Sequence, residues 1–200
     1  PLSERRWIEK KESPQYKRGN TLRSYQLDGH NWLVYNWCLG RGSILADEMG
    51  LGKTVQVVSF LEHLRTFQRL PGPFLIVMPL SMIEHWHREF SEWTDMNVVV
   101  YQGSRENRAI IQHYEWHYLN EDGRPQCPQI KFNVLITTYE TLMSDYEVLQ
   151  KIDWMVVVVD EAQRLKNKDS KLLRSLNSIR TYHKVLLTGT PIQNNLGELW

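Results

Sequence analysis

Two hundred residues with 42% hydrophobic content suit one domain with a full core. A net charge of +1 excludes a uniformly basic nucleic-acid binder. No apolar run approaches membrane-spanning length, no signal peptide opens the chain, and Cys38 and Cys127 have neither metal nor disulfide spacing, which suits a reducing compartment.

Residues 1–21 read as a basic linker or arm entering the domain, punctuated by Pro14, Gly19 and Asn20. Residues 1–23 hold seven Lys/Arg against three Glu, and 161–180 hold six against Glu161 and Asp169, so phosphate-seeking stretches exist within a neutral total. From 22 to 39, Leu22, Tyr25, Leu27, Trp32, Leu33, Tyr35 and Trp37 recur at helical spacing, and Gly40 and Gly42 end the pattern. Apolar runs at 43–46, 74–78, 98–101, 134–137, 155–159 and 185–187 predict buried strands. Helical patterns fill 54–69, 81–93, 105–118, 139–149 and 170–178, while 120–129 reads as a surface loop. Val156, Val157, Val158 and Val159 form a continuous run, as a parallel strand covered on both faces requires. Strand alternating with helix predicts a doubly wound α/β sheet with helices on both faces. In such a sheet, active residues gather beyond the carboxyl ends of the strands. Asp47, Pro79, Thr138, Asp160 and Thr188 all fall there. The chain begins without Met and stops at Trp200 within a helical pattern, which predicts a piece of a longer protein.

The chemistry lies in two separated segments. Asp47, Glu48, Met49, Gly50, Leu51, Gly52, Lys53 and Thr54 connect a strand to a helix. Glycines let backbone N–H groups converge on an anion, and the helix start adds its positive dipole. Lys53 then suits the β- and γ-phosphates, and the Thr54 hydroxyl suits magnesium. The usual pattern has Gly where this chain has Asp47. The second segment is the four-Val strand ending in Asp160 and Glu161. Adjacent side chains at a strand end point in different directions. One carboxylate can therefore hold magnesium, directly or through water, while the other faces the attacking water. Together the segments point to nucleoside triphosphate hydrolysis.

Segments 47–54, 160–167 (Asp-Glu-Ala-Gln-Arg-Leu-Lys-Asn) and 187–194 (Leu-Thr-Gly-Thr-Pro-Ile-Gln-Asn) resemble motifs I, II and III of the chromatin-remodelling ATPases in helicase superfamily 2. Segment 22–26 resembles their adenine-reading glutamine segment, 78–86 their motif Ia and 135–140 their motif Ib. Within that group, 90–94, 97–104 and 131–138 look most like the chromodomain–helicase–DNA-binding branch.

The resemblance implies an ATP-dependent remodeller that translocates on double-stranded DNA to move nucleosomes in the nucleus. Residues 22–200 would be its first RecA-like lobe, of P-loop NTPase type, truncated at the carboxyl end. ATP and Mg2+ would be the cofactors, and a second RecA-like lobe of the same full-length chain the partner. Gln26 would read adenine, 47–54 would hold the nucleotide, and Lys53, Asp160 and Glu161 would be catalytic, with Thr54 and Asp160 on the metal. Ser81, Trp86, Thr137, Thr138 and Lys166 are DNA-contact candidates. Gln163, Thr188, Thr190 and Gln193 would couple nucleotide state to lobe movement. No membrane and no structural metal are implied.

Gln163 departs from the family, which usually has His there, and Gln cannot carry a proton or charge. A rival reading is therefore a nucleotide-gated chromatin scaffold with impaired coupling. A lower-ranked rival is an RNA helicase. His113 and His117 lie four apart on a helical pattern but lack a third ligand, so they read as surface or packing histidines. Trp32, Trp37, Trp86 and Trp93 read as core or inter-lobe packing.

Overall fold

The computed structural model describes residues 7–47, 50–165 and 171–189. In chain order the elements are α1 (Ser24–Cys38), β1 (Ser43–Leu45), α2 (Lys53–Thr66), β2 (Phe74–Met78), α3 (Ile83–Trp93), β3 (Val98–Tyr101) and α4 (Arg105–Glu115). A hairpin, β4 (His117–Leu119) and β5 (Pro125–Ile130), follows. Then come β6 (Val134–Thr138), α5 (Tyr139–Leu149), β7 (Val156–Val159), α6 (Lys171–Ser178) and β8 (Lys184–Leu187). Six strands form one sheet in the order β1-β8-β7-β2-β6-β3, and every pairing in it is parallel.

The four valines of β7 show why the chain folds this way. Side chains alternate across a strand. Val156 and Val158 join a core with Leu33 and Trp37 of α1, Phe60 and Leu61 of α2, and Trp86 and Phe90 of α3. Val157 and Val159 join a second core with Tyr139 and Leu142 of α5 and Leu172 and Leu176 of α6. Both faces are covered, so polar alternation is excluded from the strand. Parallel pairing in turn puts the carboxyl ends of β1, β7 and β8 on one edge.

Three expectations are corrected. The helix expected over 105–118 ends at Glu115, and the loop expected over 120–129 contains β5. The turn is built by Asn120, whose side-chain oxygen accepts from the N–H of Asp122 (3.1 Å) and Arg124 (2.9 Å). This Asx geometry replaces helical bonds with a hairpin. The helix expected over 54–69 ends at Thr66, short of Arg69 with its φ of +57°.

The described part of the amino-terminal arm is strapped across three helices. Lys10 and Asn31 of α1 exchange two hydrogen bonds (3.0 and 2.9 Å), one from the Lys10 N–H and one to its carbonyl. The Lys10 ammonium lies 5.6 Å over the Phe67 ring, just past α2. Arg18 forks onto both oxygens of Glu92 in α3.

Beneath the strap, α1 and α2 meet through a polar seam. Gly29 lets them approach, since a Cβ there would fall 1.8 Å from Gln56 Oε1. The Ser59 hydroxyl donates to the Gln56 carbonyl (2.7 Å), so its oxygen accepts from His30 Nδ1–H (3.0 Å). Burial first, then the neighbouring His63 and Lys10, pushes His30 down to about 3. Burial, then Lys10, pushes His63 down to about 4.

Both histidines are thus neutral when folded and titrate below the ordinary 6.5. Between these values the unfolded chain binds protons that the folded seam refuses. Their contribution is whole above the unfolded value and is lost as pH falls. The urea midpoint is expected to drop between about pH 7.5 and about pH 5, and His30→Gln with His63→Gln is expected to flatten that dependence.

Candidate nucleotide site

β1 delivers the chain to the sheet edge at Leu45, and the phosphate loop follows. Glu48 and Met49 lie outside the described residues. Gly50 and Gly52 have φ of +87° and +77°, in the left-handed region. Gly52 caps α2, and its carbonyl accepts from the Gln56 N–H (3.1 Å). Lys53 and Thr54 therefore open the helix, where backbone N–H groups lack intrahelical partners. Lys53 Nζ donates to the Asp47 carbonyl (2.6 Å), folding the ammonium back over the loop. Gln56 Nε2 donates to Asp47 Oδ2 (3.3 Å), giving the residue that replaces the usual glycine a structural bond.

Gln26 is buried against this loop. Its Oε1 accepts from the Arg23 N–H (3.0 Å), capping the start of α1. Its Nε2 faces Gly52 so closely that a Cβ there would fall 2.5 Å away. One acceptor lone pair is thus committed to the cap, and the donor end abuts the phosphate loop. A cavity of about 580 Å³ flanks the loop, lined by Tyr25, Trp32, Ile44, Asp47 and Leu51 among others.

Asp160 follows the end of β7, with its N–H bonded to the Val77 carbonyl of β2 (2.9 Å). The residue is 6% exposed. Trp86 Nε1 donates to Oδ2 (2.9 Å), and the Glu161 N–H donates to Oδ1 (2.8 Å). The Tyr139 hydroxyl donates to the Asp160 carbonyl. Burial raises the Asp160 carboxyl above its ordinary value, opposed by the Trp86 and Glu161 N–H donors and, more weakly, by the Lys53 charge. Lys53 and Asp160 are 107 positions apart in the chain. β1 and β7 lie two strands apart, a gap of about 10 Å bridged by β8.

Glu161 has φ +52°, left-handed backbone that a side chain rarely adopts. Gln163 holds it. The Gln163 Nε2 donates to Glu161 Oε2, and Gln163 Oε1 accepts from Thr188 Oγ1 (3.0 Å). Only the amide nitrogen can donate to a carboxylate, so the direction of this chain of bonds is fixed. Thr188 is anchored in turn by its N–H on the Leu45 carbonyl (3.1 Å). Glu161, Gln163, Thr188 and the end of β1 form one connected path.

The other candidates divide. Ser81 is exposed beside Leu80, which is 65% exposed. Trp86 and Thr137 have no exposed surface and Thr138 has 4%. Thr137 Oγ1 donates to the Tyr101 carbonyl (2.8 Å), and Thr138 Oγ1 accepts from the Thr141 N–H (3.1 Å) as the cap of α5. Trp86 is therefore corrected as a strand contact, because its one polar atom is committed inside the fold. The Thr137 and Thr138 hydroxyls are likewise engaged internally. Lys166, Thr190 and Gln193 lie outside the described residues. Tyr139, not singled out in sequence, packs under the site with Arg164 5.7 Å over its ring.

Thr54 and Asp160 offer hydroxyl and carboxylate oxygens, the hard donors that suit Mg2+. Each Asp160 oxygen accepts one protein N–H and keeps a lone pair for a further ligand. The residues present fit a metal-bound triphosphate.

Sheet order, phosphate loop and paired acids define a RecA-like P-loop lobe. The model of the SNF2-related domain matches residues 25–200, and the chain belongs to that family. It is 50% identical over 194 residues to Chromodomain-helicase-DNA-binding protein 6 of Homo sapiens, covering 97% of this chain and 7% of that protein. Identity is also 50% to Chromodomain-helicase-DNA-binding protein 8 of Danio rerio, with 97% and 8% covered. The chain thus spans less than a tenth of these relatives. Among solved structures it resembles the Sulfolobus solfataricus SWI2/SNF2 ATPase core in complex with dsDNA, with TM-score 0.75 and 30% identity over 94% of this chain and 36% of that one.

Gly52→Ala would force a side chain into left-handed backbone and onto Gln26. A loss of about 1–2 kcal/mol in urea unfolding is expected from the backbone alone, with more from the clash. Adding Gln26→Ala should relieve the clash and leave the backbone loss.

Proposed function

We propose that this chain is the ATP-binding lobe of an ATP-dependent chromatin remodeller that translocates on double-stranded DNA to move nucleosomes, acting in the nucleus. Residues 22–200 are the lobe and 1–21 an arm into it. The carrying observation is that the loop after β1, with Lys53 and Thr54, and the Asp160–Glu161 pair after β7 stand at the same edge of a parallel sheet, with β8 between them. Identity near 50% to chromodomain-helicase-DNA-binding proteins supports the remodeller reading. The Sulfolobus core was solved in complex with dsDNA, which supports duplex DNA as the track.

Bound Mg2+–ATP supplies the cleavable phosphoanhydride and neutralises its charge. The chain's residues do the rest. The 47–54 loop cradles phosphates, with Lys53 leaving the Asp47 carbonyl for the anion. Gln26 offers its amide donor to the base. Thr54 and Asp160 hold the metal. Glu161, aimed by its left-handed backbone and by Gln163, orients and deprotonates water. Thr188, with Thr190 and Gln193, carries the state of the site toward the second RecA-like lobe. Ser81 and Lys166 are the DNA-contact candidates that remain.

The scaffold reading turns on Gln163, and its observed bonds favour the motor. Gln163 bridges Glu161 and Thr188 without needing a proton, so its amide sustains the connection that coupling requires.

The test uses the full-length protein, with DNA-stimulated ATPase and nucleosome sliding as readouts. Lys53→Ala should abolish nucleotide binding. Glu161→Gln should keep binding while lowering kcat by about 100-fold or more. The 200-residue chain alone, without arginines of a second lobe, should turn over about a thousandfold more slowly than the full protein. Stimulation by RNA in preference to duplex DNA, or no sliding by the unaltered protein, would overturn the proposal.

A further inference from the structure

We infer that Trp86 is a positioning residue for the nucleotide site: its indole N–H fixes the Asp160 carboxylate and makes metal binding there depend on helix α3. This rests on the nucleotide-site reading.

Trp86 has no exposed surface, so it can act only through what it touches inside. It lies one turn into α3 and packs near Phe90 (ring centroids 6.1 Å). Phe or Leu could fill apolar space here. The feature peculiar to Trp is one N–H, a donor with no acceptor role. That N–H meets Asp160 Oδ2 at 2.9 Å. A hydrogen bond to an ionised acceptor is stronger than a neutral one and fixes direction.

The carboxylate has two protein donors of different kinds. The Glu161 N–H belongs to its own backbone and moves with it. Trp86 comes from a separate helix, reached from β2 through Pro79, Leu80, Ser81 and Met82. The exposed Leu80 and Ser81 stand at the strand ends, so displacement of that segment shifts the root of α3. Rotation of α3 changes the Trp86 bond, and with it the direction in which the remaining Asp160 lone pairs face. Trp154 provides an internal contrast. It is equally buried and its N–H bond is equally long, 2.9 Å, but it ends on the neutral carbonyl of Leu149.

Equilibrium binding of a fluorescent ATP analogue to the full-length protein separates these roles, measured with Mg2+ titrated in and with the metal chelated. Trp86→Phe keeps a ring and removes the donor. Replacement of Trp86 by 3-benzothienylalanine keeps the bicyclic shape and removes only the donor, and it carries the test if the Phe variant fails to fold. Both should raise the Mg2+ concentration for half-maximal gain in affinity by about tenfold, the weight of one hydrogen bond to a charged acceptor. Affinity without metal should stay within about twofold, because the phosphate loop is untouched. In an Asp160→Asn background the isostere should add nothing. Trp154→Phe should leave the Mg2+ dependence unchanged while lowering the melting temperature. An unchanged Mg2+ dependence in the Trp86 variants, or an equal shift in Trp154→Phe, would overturn the positioning role. Absence of any Mg2+-dependent nucleotide binding by the unaltered protein would instead overturn the nucleotide-site reading, and this inference with it.

Discussion

A carboxylate on a residue with only 6% of its surface exposed is unstable as an anion unless donors surround it. Much of this lobe is arranged around Asp160 for that reason. The β2–β7 ladder supplies the Val77 carbonyl that holds its backbone, α3 supplies Trp86, and the turn after β7 supplies the Glu161 N–H. Tyr139 clamps the carbonyl from the opposite core. These contacts come from both faces of the sheet, and they converge only because β7 is interior to it. On an edge strand, one flank of the residue would be open to water and the anion would need less support. Burial keeps the carboxyl raised, opposed first by the Trp86 and Glu161 N–H donors and last by the Lys53 charge.

The sheet was legible because its signals are local. A run such as Val156 to Val159 has no polar interruption, and helical periodicity between runs leaves few topologies. The observed β2 and β3 have the expected bounds, and the other four strands of the sheet differ by one residue at an end. The hairpin was hidden by composition. Residues 105–118 keep an apolar rhythm that helices share, while β5 contains Pro125 and Pro128, which argue against a strand. The Asp122-Gly123 pair was the available turn signal, and the Asx bonds of Asn120 give it physical weight.

Within the site, spacing disclosed which residues carry charge and hydroxyls but not where their bonds go. Trp86 is the clearest instance. The resemblance of 78–86 to motif Ia made it a DNA-contact candidate, and helical geometry instead turns its ring inward to Asp160. That partner lies 74 positions away, so no local pattern announces it. Gln26 shows the same limit: its acceptor closes a cap on its own helix while its donor abuts Gly52. The role of Gln56 against Asp47 likewise depends on two elements meeting, which a single segment cannot express.

Gln163 is where composition and geometry say different things. As a departure from His it suggests lost chemistry, since an amide holds no exchangeable charge. In place, the position asks for something else: a group that donates to the Glu161 carboxylate on one side and accepts from the Thr188 hydroxyl on the other. A neutral imidazole meets that demand in one tautomer. A protonated one fails it, because both nitrogens then donate and Thr188 must reverse. The amide has the required polarity built in and retains it at every pH in which the protein is folded. Glu161 sits in left-handed backbone that costs energy to maintain, so a partner of fixed polarity holds it more consistently than a titrating one. The path from β1 through Thr188 to Glu161 therefore needs hydrogen bonds of a set direction, and nothing in it requires an imidazole.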